Sequence, residues 1–145
     1  MYPVNEDSML PSTSLLLLDI IVQLEDGSIA NVEIQKIPYT FPGERMSCYS
    51  ADLLLRQYTR VKGEKGSTFI YQYLKTVYTI VMFENSPKEC KDPELSDIYL
   101  HHGKAAFDTG SDFHLLQEYY VVALDVFQKV SILKISTNLT HGYPC

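Results

Sequence analysis

Two carboxylates, an amide and an arginine–tyrosine pair are the residues of this chain whose types and spacing could do chemistry. Asp19 interrupts the apolar run LLLLDIIV, and Glu33 is followed two residues later by Gln35. A carboxylate in a segment that otherwise reads as buried is costly unless something pairs with it. Two carboxylates brought together push one pKa up unless a cation lies between them. Mg2+ suits such a pair, because it takes hard oxygen ligands and keeps several waters beside a substrate phosphate. Gln35 lies one step along the same face as Glu33, where its amide can hydrogen-bond an attacking water or a phosphate oxygen. The competing reading is a salt-bridged interior, with Asp19 and Glu33 paired to Arg45 or Arg56, since buried ion-pair networks also perturb titration. Spacing alone leaves both readings open.

Whether the two acids meet depends on the turn between them. Side chains alternate faces along a strand, so Asn31, Glu33, Gln35 and Ile37 share one face and Lys36 points to the other. A two-residue Asp26-Gly27 turn sets Asp19 opposite Ile34 and separates the carboxylates. A three-residue loop, Glu25-Asp26-Gly27, sets Asp19 opposite Glu33. That loop is a type I turn with a G1 bulge and wants glycine third, which is where Gly27 stands.

The elements that must hold these residues follow from the pattern of apolar residues and breakers. Residues 1–14, with Pro3 and Pro11, read as an irregular arm. Residues 15–24 and 28–37 read as two strands, the second ended by Pro38 and Pro42. Residues 44–61 form the clearest helix, and Lys62-Gly63-Glu64-Lys65-Gly66 reads as its end and a loop. Residues 75–83 form a strand rich in β-branched residues, 84–94 a loop, and 96–107 and 119–127 two further strands. Strands around a central helix predict an α/β or α+β domain. On the helix, Arg45, Tyr49, Asp52, Arg56 and Arg60 fall within an arc of about 80°. The remainder is mostly apolar or small, which predicts a helix buried on most sides with one polar stripe. That stripe is either paired internally through Asp52 or aims Arg45 and Tyr49 at the hairpin.

Composition bounds the rest. With 145 residues, 46% of them hydrophobic and 12% aromatic, the chain is one globular domain with a real core. Residues 1–14 lack lysine and arginine and contain Glu6 and Asp7, so they do not read as a signal peptide. The apolar run after them is too short to span a bilayer. Three cysteines without a CxxC argue for a reducing cytosol and against a zinc site. A net charge of −6 argues against nucleic-acid binding, but residues 44–65 hold five basic and three acidic side chains and are locally positive. His101-His102 has no second ligand pair at metal spacing and reads as structural or surface.

Asp19, with Glu33-Ile34-Gln35, resembles the PD-(D/E)XK nuclease superfamily, and more narrowly its Rpn-type recombination-promoting nucleases, or PD-(D/E)XK family transposases. Asp19-Ile20, Asp26-Gly27 and Asn31-Val32-Glu33-Ile34-Gln35 match the family's D…DG…NxExQ hairpin. Arg45 and Tyr49 match the residues that open its next helix, residues 73–80 (YLKTVYTI) resemble its following strand, and His101-His102 and residues 124–127 (LDVF) match more loosely. The resemblance covers residues 15–130 and leaves 131–145 as an atypical tail. It implies a restriction-endonuclease-like core, a central mixed sheet flanked by helices. It further implies Mg2+- or Mn2+-dependent DNA cleavage of a mobile-element type, in the cytoplasm, with DNA and a second copy as partners and no membrane. Asp19 and Glu33 would hold the metal, joined by the Ile34 carbonyl; Gln35 would orient water; Arg45, Tyr49 and Arg56 would contact substrate or support the acids. The chain departs from the family in Leu18, where a proline is usual, in Gln35, where the superfamily's name has lysine, and in lacking the usual first helix before Asp19. It looks truncated at both ends, so an inactive remnant and a non-catalytic binding module with a salt-bridged hairpin stand as alternatives.

Overall fold

The computed structural model describes residues 18–36 and 43–140, with side chains for residues 20–36 and 43–139. The elements run β1 (Leu18–Gln23), β2 (Ile29–Gln35), α1 (Gly43–Lys65), β3 (Val77–Phe83), β4 (Leu100–Lys104), β5 (Gln117–Ala123) and α2 (Leu124–Thr140). They build an α/β structure around one mixed five-stranded sheet of order β1-β2-β3-β5-β4. The three central strands are parallel, and β1 and β4 are antiparallel edges. Among the described residues, no helix is long and apolar enough to cross a membrane.

The first hairpin closes through a three-residue loop. The Leu24 carbonyl accepts from the Gly27 N–H at 3.0 Å, and the Leu24 N–H donates to the Ser28 carbonyl at 2.8 Å. Gly27 has φ +88°, the left-handed conformation that the third loop position requires. The Ser28 hydroxyl and N–H both donate to the Asp26 carboxylate, hold its pKa below the ordinary value and brace the turn. The ladder is therefore in the register that faces Asp19 with Glu33.

Helix α1 crosses from β2 to the parallel strand β3, as a parallel connection must. It buries a narrow face, Ser50, Leu53, Gln57 and Val61, at helical spacing. Leu53 packs on Ile29 and Val77, while Met46 and Tyr49 pack on Val81 and Phe83. The expectation of a helix buried on most sides is corrected: Leu55 is 63% exposed, and Cys48 and Ala51 are also exposed. Only one side of α1 meets the sheet; on its flank Tyr58 packs against Phe69 and Tyr71 of the segment that follows the helix. The expected end at Val61 is corrected too. Lys62, Glu64 and Lys65 are good helix formers that outweigh Gly63, and the two lysines complement the negative end of the helix dipole. Termination passes to Gly66, with φ +54°. Buried Gln57 then ties α1 to the chain entering β3: its amide nitrogen donates to the Lys75 carbonyl at 2.9 Å and its oxygen accepts from the Lys75 N–H at 2.5 Å.

The remaining expectations hold in outline with shifted bounds. The strand expected over 75–83 begins at Val77, after a 3-10 turn at Tyr71–Tyr73, and the strand expected over 96–107 shortens to β4. The loop of residues 84–94 contains 3-10 turns at Lys88–Cys90 and Pro93–Leu95. The strand expected over 119–127 ends at Ala123, and residues 124–127 open α2, which takes in most of the supposed tail. Asp125 marks the change. Its carboxylate accepts from the Ser86 N–H at 3.1 Å, the Ser86 hydroxyl at 3.0 Å and the Val126 N–H at 3.0 Å. The expected arm (1–14), residues 15–17, Ile37, Pro38 and Pro42 lie outside the described residues.

The sheet's two faces differ. The face toward α1 carries Val77, Thr79, Val81 and Phe83 of β3, all buried, beside Asn31, Glu33 and Gln35 of β2. The opposite face carries Val32, Ile80 and Tyr120 in one row and Ile34, Met82 and Val122 in the next, all only half-buried. Its edges expose Ile20 and Leu100 at 43% and 51%.

Two measurements check this fold. Gly27→Ala forces a left-handed alanine and lowers stability by about 1–2 kcal/mol in urea unfolding, with Gly27→Asn milder. Burial raises the Asp125 pKa, but the Ser86 and Val126 donors and nearby Lys91 outweigh it and hold the net value below the ordinary one. A depressed folded-state pKa gives stability that is complete above the unfolded value and is lost as pH falls through the folded one. Asp125→Ala therefore costs about 1–2 kcal/mol at pH 7. The gap to the parent chain closes as the pH falls below about 4.

Candidate active site

The site grows from the last two turns of the β2 ladder. Glu33 and Gln35 share the α1-facing side and are 2% and 1% exposed. Gln35 donates its amide N–H to Glu33 Oε1. Arg45, in the first turn of α1, brings Nη2 to 3.6 Å from the same oxygen. The Arg45 Nε and Nη2 donate to the Tyr49 hydroxyl at 2.9 and 2.6 Å, one turn further along the helix. Tyr49 in turn packs on Val81 and Phe83. Glu33, Gln35, Arg45 and Tyr49 thus form one connected cluster between strand and helix. A buried carboxylate needs such company: cation and amide supply the charge and hydrogen bond that water no longer provides.

Asp19 enters through the backbone. The register sets it directly across the ladder from Glu33, and directly opposed residues of an antiparallel pair share a face. Arg56 is not brought to this cluster. It lies about 16 Å along the helix axis from Arg45, 68% exposed and ion-paired with Asp52 at 2.9 Å. Lys36 is exposed beyond the end of β2, and its carbonyl accepts from the Asn85 amide at 3.2 Å. Among the described residues, no group of three or more histidine, cysteine, aspartate or glutamate side chains could hold a metal ion. What the site offers a cation is the hard-oxygen chemistry of the Glu33 carboxylate, with a second carboxylate-bearing position opposite it. Mg2+ and Mn2+ take hard oxygen donors of this kind.

Sequence reasoning passed over Thr79. It lies beside Asn31 in the β2–β3 register, 1% exposed, and neither its hydroxyl nor the Asn31 side-chain Oδ1 has a hydrogen-bond partner among the described residues. The signal was there: alternation along residues 77–83 puts Thr79 among the inward positions with Val77 and Val81. His101 and His102 take structural places: His102 stacks on Tyr120 and meets Glu118 at 2.8 Å, while His101 is half-buried on β4.

Compared with protein-family models, curated proteins and solved structures, the chain matches none. The functional reading therefore rests on this geometry and on the hairpin motif.

The cluster makes a stability prediction apart from any activity. Arg45→Ala takes the neighbouring cation from a Glu33 carboxylate that is 2% exposed, leaving Gln35 as its donor, and unfolding should show a loss of roughly 2 kcal/mol. Adding Glu33→Gln should recover part of that loss, so a double-mutant cycle reads a coupling of about 1 kcal/mol or more. Additive effects would show that the two side chains do not interact.

Proposed function

We propose that this chain is a Mg2+-dependent DNA endonuclease of the PD-(D/E)XK type, working in the cytoplasm on a restriction-endonuclease-like core. One observation carries the reading: the hairpin register faces Asp19 with Glu33, while Gln35, Arg45 and Tyr49 gather at Glu33. An antiparallel hairpin followed by a helical crossover to a parallel strand gives the acids a rigid support. The chemistry a divalent cation supplies there is Lewis acidity, activating water and neutralising phosphate charge.

The chain's own residues do the positioning. Asp19 and Glu33 provide the anionic oxygens. Gln35, held against Glu33, presents an amide that can orient a water in line with the phosphate. Arg45 balances Glu33 in the resting state and, 31% exposed, can turn outward to a phosphate oxygen, to which a guanidinium is matched in shape and charge. Tyr49 steers that arginine. Net charge of −6 then disfavours DNA everywhere except at this cation-loaded end of α1.

A second reading has its own support. Arg45 and Gln35 already engage Glu33, which is what a non-catalytic module with a salt-bridged hairpin would show. Plasmid cleavage with Mg2+, with Mn2+ and with chelator separates the two. In the nuclease reading cleavage needs the metal, and Asp19→Ala and Glu33→Ala each lower it at least about a hundredfold, with Gln35→Ala losing about ten- to a hundredfold. Cleavage that survives Asp19→Ala and Glu33→Ala sinks the assignment. Absence of both cleavage and Mg2+ binding in a chain that melts cooperatively favours the binding module.

A further inference from the structure

Where α1 ends, the chain turns back along it. Gly66 takes the left-handed conformation, φ +54°, and extended backbone at Phe69 and Ile70 leads into the 3-10 turn Tyr71–Tyr73. This return lays Phe69 and Tyr71 against Tyr58 of the helix. Phe69 meets Tyr58 and Tyr71 edge to face, with ring centroids 5.5 and 5.3 Å apart. Tyr58 and Tyr71 lie within 10° of parallel, 6.2 Å between centroids. Rings this close already touch, so no guest enters between them, and the cluster offers an outer surface instead. Tyr71 is 69% exposed and Tyr73 40%. Two ammonium groups stand on the same surface. Lys62 Nζ lies 5.2 Å over the Tyr58 ring and donates to its hydroxyl at 2.9 Å, and Lys65 Nζ lies 5.0 Å over the Tyr73 ring. At 100° per residue Tyr58, Lys62 and Lys65 share an arc of about 60°, while Glu64 points about 120° away from Tyr58. Among the described residues, no carboxylate is ion-paired with either lysine.

We propose that this surface binds single-stranded nucleic acid, an unpaired base stacking on Tyr71 and the neighbouring phosphates meeting Lys62 and Lys65. Exposed rings interleaved with cations that no carboxylate neutralises match a ligand in which π faces alternate with negative charges. A duplex shows its bases by their edges alone, so it would meet the lysines and leave the rings unused. An acidic peptide would do the same. Charge favours the same place: residues 58–73 hold three basic side chains and one acidic one in a chain of net charge −6, so a polyanion is repelled less here than over most of the molecule. Lys62 lies about 25 Å along the helix axis from Arg45. The inference therefore concerns a surface separate from the Glu33 cluster and does not depend on the nuclease reading.

Fluorescence anisotropy with the full chain and labelled oligo(dT) or oligo(U) of about twelve nucleotides tests it. Chelator is kept present, so that no metal-dependent cleavage intervenes. At least one of the two single strands should bind at low salt, and more tightly than its duplex with the complementary strand. Tyr71→Ala, altered at an exposed position, should weaken that binding about tenfold, and Tyr71→Phe should leave it unchanged. Lys62→Gln/Lys65→Gln should reduce the slope of log affinity against log salt by about 1.4. The chain contains no tryptophan, so Tyr71→Trp places a single indole on the surface, and the bound strand should quench its fluorescence. A duplex bound as tightly as the single strand, Tyr71→Ala without effect, an indole that is not quenched, or polyglutamate of equal charge bound as tightly as the oligonucleotide overturns the proposal.

Discussion

Whatever chemistry this chain performs hangs on where β2 stands relative to β1. The side-chain period of a strand is two, so a slip of one residue sends every inward group outward. The three-residue loop removes that freedom. Its glycine takes a backbone conformation that other residues reach with strain, and Asp26 locks the next turn through Ser28. The register then decides which residues face the helix, and with it the company of Glu33, Gln35, Arg45 and Tyr49.

The layer beneath α1 is unusually polar for a small domain. Glu33, Gln35, Asn31 and Thr79 come from the strands and Ser50 and Gln57 from the helix, all buried. Much of this polarity is satisfied by pairing: Gln117 donates to the Ser50 hydroxyl at 2.9 Å, Gln57 serves Lys75, and Arg45 and Gln35 serve Glu33. Such an interior adds little net stability over an apolar one. Its charged part, Glu33 with Arg45, stands toward the end of β2, whereas Gln57 and Ser50 serve the opposite end, where β3 and β5 begin.

Much of this was legible in the sequence, and the failures have physical causes. Glycine standing third in Glu25-Asp26-Gly27 permitted the loop that faces positions 19 and 33, but Asp26-Gly27 alone could also have closed a two-residue turn, and only the ladder decides between them. Strand β3 declared itself by its β-branched residues. Helix α2 did not, because Val126, Val130, Ile132 and Ile135 favour strands by propensity, and no polar face interrupts the apolar residues at helical spacing. Its start depends on Asp125 meeting Ser86, 39 residues away, a partner that local pattern does not reveal. The end of α1 was misjudged because Gly63 looked like a stop, although its neighbours sustain the helix to a glycine better placed to end it. The grouping of Arg45 with Glu33 was legible only as one of two options; Arg56, on the same predicted stripe, bonds to Asp52 instead.

Gln57 has a consequence for motion. By pairing with both the N–H and the carbonyl of Lys75, its side chain acts as a stand-in for a neighbouring strand at the point where β3 is about to begin. The side chain of Lys75 also reaches toward the hairpin loop, its Cγ 3.5 Å from where a Cβ on Gly27 would stand. Turn, entry segment and helix are thereby coupled mechanically. Arg45 and Tyr49 ride on the opposite, N-terminal end of that helix, so any displacement of α1 along its axis would reset the Glu33 cluster and the entry to β3 together, as one lever rather than as separate loops.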